Sequence, residues 1–134
     1  MTPVTGRLRQ RVRERAAGRC EYCRLPESES LYSFEAEHII AEQHEGLTTL
    51  DNLDWACIQC NRPKGPNLTA FDPQTGELTR LYHPRQHIWD DHFEMRDGHI
   101  AGKTPMGRAT AQLLKFNETH RVELRRELIA AGDW

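Results

Sequence analysis

Two pairs of cysteines, Cys20/Cys23 and Cys57/Cys60, bracket a set of residues able to handle water and a cation. A two-residue spacer lets both sulfurs of a pair face one ion, and two such pairs complete the tetrahedral shell that zinc prefers. The gap between the pairs is 33 residues, longer than a minimal zinc ribbon needs. That insertion holds Glu37-His38 and Asn52, and Asn61 follows Cys60 directly. A shell of four sulfurs leaves no open position for substrate, so the ion in it is expected to be structural. The chemistry then falls to the neighbours of the cysteines. An imidazole titrates near working pH and can draw a proton from water. A carboxylate and an amide oxygen are hard ligands for a Mg²⁺-like cation, which can relieve charge on a phosphate and on a leaving oxygen. Glu37, His38, Asn52 and Asn61 thus hold the parts that phosphodiester hydrolysis requires. Each has a plainer use when taken singly: a partly buried polar histidine, or an asparagine in a turn or cap. Their order and spacing favour the chemical reading.

One geometric demand follows. Adjacent residues on an extended strand point to opposite faces, so a strand end or bend must bring Glu37 and His38 to one cleft. Asn52 is suited to hold the imidazole in one tautomer through its side-chain carbonyl. Asn61 is suited to offer a hard oxygen to the cation.

The residues Phe34-Glu35-Ala36-Glu37-His38-Ile39-Ile40, Asn52-Leu53 and Ala56-Cys57-x-x-Cys60-Asn61-Arg62-x-Lys64-Gly65, with the earlier Cys20/Cys23 pair, resemble the HNH endonucleases, which share the ββα-metal motif. The later stretch is similar to small bacterial HNH proteins: His83-Pro84-Arg85, Trp89, His92-Phe93, then Thr104-Pro105 and Gly107-Arg108-Ala109-Thr110. The resemblance implies an α+β fold with a ββα-metal core and a four-cysteine structural Zn²⁺. An N-terminal helix and a C-terminal extension of hairpins and helices would flank that core. It implies that His38 is the general base and that Asn52 orients it. Glu37 and Asn61 would hold the catalytic Mg²⁺ or Mn²⁺. Many members carry aspartate where this chain has Glu37, one methylene longer. DNA is the implied substrate, cut to 5′-phosphate and 3′-hydroxyl ends. Arg62 and Lys64 follow the metal-ligand position, where a cation can meet a phosphate; a solvated helix end is the other reading of them.

The elements that must position these groups are readable in outline. Leu8, Val12 and Ala16 recur at helical spacing and predict a helix over residues 5–17 that ends at Gly18. Alternation with aromatics predicts a strand over 31–40, ending near His38. Residues 52–56 read as a short strand or turn into the second cysteine pair, and a short helix follows from Ile58 to before Gly65. Hairpins are predicted over 68–82 and over 89–100, the second turning at Asp97-Gly98. Thr104-Pro105 signals a capped helix whose apolar face carries Met106, Ala109, Leu113 and Phe116, with Asn117 as its break. A last helix is expected over 118–131, stopped by Gly132. Trp55, Trp89 and Phe93 are expected in the core, with His83 and His92 as packing or surface groups.

With 134 residues and no linker or repeat, one domain is expected, with its motif over about 20–65 and an extension over 66–134. Mean hydropathy is −0.76, so the core is modest and a structural metal would support it. No run is apolar enough for a membrane span, and the N-terminus lacks the apolar segment of a signal peptide. A cytoplasmic location is expected, in which thiols stay reduced and bind metal. The net charge of −2 conceals an asymmetry: residues 6–19 hold six arginines and one acid, whereas residues 25–61 hold eight acids and no lysine or arginine. Arg7, Arg11 and Arg15 line one helical stripe and would grip phosphates beside an acidic, metal-loaded centre. A metal-dependent DNA endonuclease is the reading preferred. The alternatives are a zinc-stapled nucleic-acid-binding module without hydrolysis, and a zinc domain that docks proteins. Monomer and homodimer both stay open.

Overall fold

The computed structural model describes residues 2–134. It divides into two compact units, one ending at Pro66 and one running from Asn67 to Trp134.

The first unit contains helix α1 (Gly6–Arg15), strands β1 (Glu35–His38) and β2 (Leu53–Ala56), and helix α2 (Ile58–Lys64). β1 and β2 pair antiparallel, from Glu35 opposite Ala56 to His38 opposite Leu53, and α2 follows directly. This is the β-β-α order that the resemblance implies. Helix α1 packs on both strands. Val12, Phe34, Leu53 and Trp55 are all buried here, each side chain contributing roughly 1.5–3 kcal/mol of burial. Arg9 joins this core: its guanidinium lies 4.7 Å over the Trp55 ring and donates to the Phe34 carbonyl at 3.0 Å.

Two local expectations change. The strand predicted over 31–40 is only four residues long, because β2 offers only four partners. Leu31 and Tyr32, left without a pairing strand, are exposed. Helix α1 leaves through two left-handed residues, Ala17 (φ 55°) and Gly18 (φ 69°), rather than through the glycine alone.

The second unit holds the hairpins β3 (Thr69–Phe71) with β4 (Leu78–Arg80) and β5 (Phe93–Arg96) with β6 (His99–Gly102). Its helices are α3 (Trp89–His92), α4 (Pro105–Leu113) and α5 (Thr119–Ala131). The predicted second hairpin loses its first four residues to α3. Phe93 pairs with Gly102, the last bond across is Lys103 N–H to the His92 carbonyl, and the chain then turns into the Thr104 cap, so residues 89–92 have no strand to join. Thr104 Oγ1 accepts the Gly107 N–H at 3.0 Å and Pro105 opens α4, as the sequence signals. The buried face of α4 is Gly107, Ala109, Thr110 and Ala111; Met106 and Leu113 are only half-buried, and Phe116 lies beyond the helix end. Lys115 (φ 55°), not Asn117, turns the chain there. Asn117 instead clasps β6, its side chain accepting from Ile100 N–H and donating to Ile100 C=O, both at 2.9 Å. Arg125 is buried and donates to the carbonyls of Gly98 and Phe116. Trp89 and Phe93 are buried as expected, and His83 is buried too, as a packing group. Buried Asp72 receives a two-pronged bond from Arg108 at 3.0 and 2.9 Å, which holds its carboxyl well below the usual range.

Candidate metal and catalytic centre

All four cysteines are buried, and their sulfurs lie within 4.8 Å of one another. The first pair is shaped by a tight turn, with Arg24 N–H on the Cys20 carbonyl and Cys23 N–H on the Cys20 sulfur at 3.5 Å. Glu21 N–H to the Trp55 carbonyl ties that turn to β2, and the second pair opens α2. Tetrahedral zinc with sulfurs at about 2.3 Å sets those sulfurs about 3.8 Å apart; Cys23 and Cys57 sulfurs are 3.7 Å apart. Burial pushes the Cys20 and Cys60 thiols up. A dication that replaces their protons relieves that cost, so the donor set suits a metal such as zinc.

Glu37, His38, Asn61 and Arg62 line one cavity of about 470 Å³, together with Glu42 and Gly65. The geometric demand on Glu37 and His38 is met because β1 ends at His38 and the chain bends away. Among the described residues the Glu37 carboxylate and the Asn61 amide make no hydrogen bond, so both oxygens are open to a cation. The His38 side chain is almost wholly buried. Its Nε2 lies 2.8 Å from Thr48 Oγ1 and 3.8 Å from Glu42 Oε1.

Asn52 departs from its expected contact. Its side chain does not reach the imidazole. It accepts from Ile40 N–H (2.9 Å) and donates to the carbonyls of Ile40 (2.9 Å) and Leu47 (2.8 Å), closing the loop between β1 and β2. The reason is reach: Asn52 precedes β2 and faces the chain as it leaves β1, where unpaired backbone groups need partners. Gly46 is part of the same closure, since a Cβ there would sit 1.7 Å from the Ile40 carbonyl oxygen. Asn52→Ala strands one N–H and two carbonyls that are partly buried. Unfolding in urea should show a loss of about 2–4 kcal/mol, and Asn52→Asp, which keeps only the acceptor, should also lose stability.

Lys64 differs too. It fits neither a phosphate contact nor a solvated helix end: it is buried and donates to the Ile39 carbonyl at 2.9 Å. Burial pulls its ammonium down, and the charges of Asp54 and Glu37 pull it back up. Asp54, opposite Glu37 across the strands, is fully enclosed and accepts the Tyr22 hydroxyl at 2.7 Å. Burial pushes its carboxyl up to about 7, against the opposing pull of Tyr22 and Lys64. Unfolded aspartate titrates near about 3.9. The folded group therefore holds its proton more tightly, and its contribution to stability, whole below about pH 4, declines as pH rises through about 7. Asp54→Asn should flatten that part of the stability–pH curve, read from urea midpoints at about pH 5.5 and about pH 8. No local pattern marks either group; a long side chain at a helix end and an acid in a strand look solvent-facing until the packing is known.

The arginine stripe divides. Arg15 donates to the carbonyls of Leu50 (2.8 Å) and Leu53 (2.6 Å), so it braces the approach to β2 rather than standing free for phosphate. Arg13 pairs with Glu27 at 2.8 Å. Arg7 and Arg11 are exposed and have no hydrogen-bond or ion-pair partner among the described residues. Arg62 is likewise exposed and unpaired, at the cavity rim. No helix of the described residues is long and apolar enough to cross a membrane.

No curated protein and no solved structure matches the chain. A family model described as HNH endonuclease matches residues 20–67. That span begins at the first cysteine, contains both cysteine pairs, and includes Glu37, His38, Asn52, Asn61 and Arg62. Over residues 20–67 the chain is thus similar to the HNH endonuclease family.

Proposed function

We propose that the protein is a metal-dependent endonuclease that hydrolyses DNA phosphodiester bonds. The observation that carries this reading is the single cavity shared by Glu37, His38, Asn61 and Arg62, set apart from a closed cluster of sulfurs. His38 takes a proton from water, the resulting hydroxide attacks phosphorus, and the bond to the 3′ oxygen breaks; that oxygen takes a proton from solvent, leaving 5′-phosphate and 3′-hydroxyl ends. Glu37 and Asn61 would hold a Mg²⁺ or Mn²⁺ ion, which supplies charge relief at the phosphate and at the departing oxygen. Asn52 acts as a positioning residue through the loop it closes. Arg62, at the cavity rim, would meet a phosphate, and Arg7 and Arg11 would hold the backbone of the duplex. The cysteine cluster is assigned a structural Zn²⁺.

The test is plasmid nicking by the zinc-loaded protein with Mg²⁺ or Mn²⁺, alongside gel shifts at two salt concentrations. Cleavage with binding that weakens steeply in salt is expected. Salt-sensitive binding without cleavage under any divalent ion would instead make this a zinc-stapled binding module.

A further inference from the structure

With Asn52 committed to the loop, the orientation of the His38 imidazole must come from other groups. We propose that Thr48, backed by Glu42, holds the imidazole proton on Nε2 and so leaves Nδ1 as the atom that accepts a proton from water. The inference rests on the hydrolytic reading for its consequence, though not for its test.

Three observations carry it. The Nε2–Oγ1 separation is 2.8 Å, a full hydrogen bond, and Thr48 makes no other hydrogen bond among the described residues. A hydroxyl can accept from Nε2–H or donate to a bare Nε2, and the charge beside the pair decides which. The Glu42 carboxylate stands on the same side, 3.8 Å from Nε2, and negative charge there favours the proton on that nitrogen. Glu42 is itself held: the Thr2 hydroxyl donates to one of its oxygens at 2.9 Å and the Thr2 N–H to the other. Nδ1 has no hydrogen-bond partner among the described residues. With the proton on Nε2, Nδ1 carries the free lone pair that a base requires. In the opposite tautomer Nδ1 would bear the hydrogen and could not accept another.

The loop explains how Thr48 comes to be there. Asn52 fixes the Leu47 carbonyl, the residue just before Thr48, and Gly46 N–H bonds to the Ala41 carbonyl. Thr48 acts on the imidazole and not on substrate, so it is a positioning residue.

The experiment is ¹⁵N–¹H NMR of the histidine rings in the zinc-loaded chain, in mildly alkaline solution, with the His38 signals identified by their loss in His38→Gln. The wild type should show the Nε2–H tautomer. Thr48→Val keeps the shape and removes the hydroxyl; the tautomer should redistribute toward Nδ1–H and plasmid nicking should fall about tenfold. Thr48→Ser should restore both. Glu42→Gln, at an exposed side chain, should shift the tautomer in the same direction by less, and serves if the valine variant does not fold. An Nδ1–H tautomer in the wild type, or a Thr48→Val ring and nicking rate identical to wild type, overturns the inference. If the wild type nicks nothing while the ring responds as expected, the hydrolytic reading fails and the tautomer control stands.

Discussion

His38→Ala should lower plasmid nicking by about a hundredfold or more, while zinc content and DNA binding stay at wild-type levels. The size follows from the role. A positioned general base contributes roughly 10²–10⁴-fold, and the cavity has no other imidazole to take over. Glu42 also lies beside the ring, but its carboxylate is 3.8 Å from Nε2, so it cannot substitute at Nδ1. The two controls matter because His38 is buried and bonded to Thr48, so its loss also loosens the loop. A fall in nicking with unchanged zinc content and unchanged gel shift assigns the effect to chemistry. Nicking by His38→Ala at the wild-type rate would sink the mechanism.

Removal of the cysteine-bound metal should have the largest effect on stability. A strong chelator at neutral pH, or Cys60→Ser, should unfold the segment between the first cysteine and α2, seen as loss of the cooperative melt. The chain holds four buried thiols where a core would otherwise place aliphatic groups. Without a metal their enclosure stabilises little. Structural zinc sites in small domains are worth on the order of 10 kcal/mol at neutral pH, several times the effect expected for Asn52→Ala. The cysteine turns also carry the Glu21–Trp55 bond that fixes one side of β2. Metal analysis should find about one zinc per chain, retained through dialysis. Full stability after zinc is stripped would refute the structural role.

Much of the fold could be read locally. Thr104-Pro105 capped a helix and Asp97-Gly98 turned a hairpin where chemistry demanded it, because both signals act within a few residues. Helix α2 was legible for the same reason, bounded by Cys57 and Gly65. The ends of β1 and the helical turn at Trp89 were not. A strand's length depends on its partner, and neither β2 nor β6 extends far enough to pair the remaining residues. The site divides in the same way. The grouping of Glu37, His38 and Asn61 around one cavity followed from order and spacing. The destinations of long side chains did not: Arg15 and Lys64 look alike in sequence to Arg11 and Arg62, yet they end on backbone carbonyls more than 20 residues away. Thr48 and Glu42 carry no motif at all, and only the closed loop brings them to the imidazole.

The clasp of Asn52 on Ile40 has a consequence for rate. One amide side chain does here what a third strand would otherwise do: it satisfies both backbone groups of a residue just beyond the sheet. Under the proposed reading, the loop that carries Thr48 loses its freedom when the chain folds, not when DNA arrives. The disorder that a mobile loop would surrender at each encounter has already been given up, so the imidazole is in register before substrate enters.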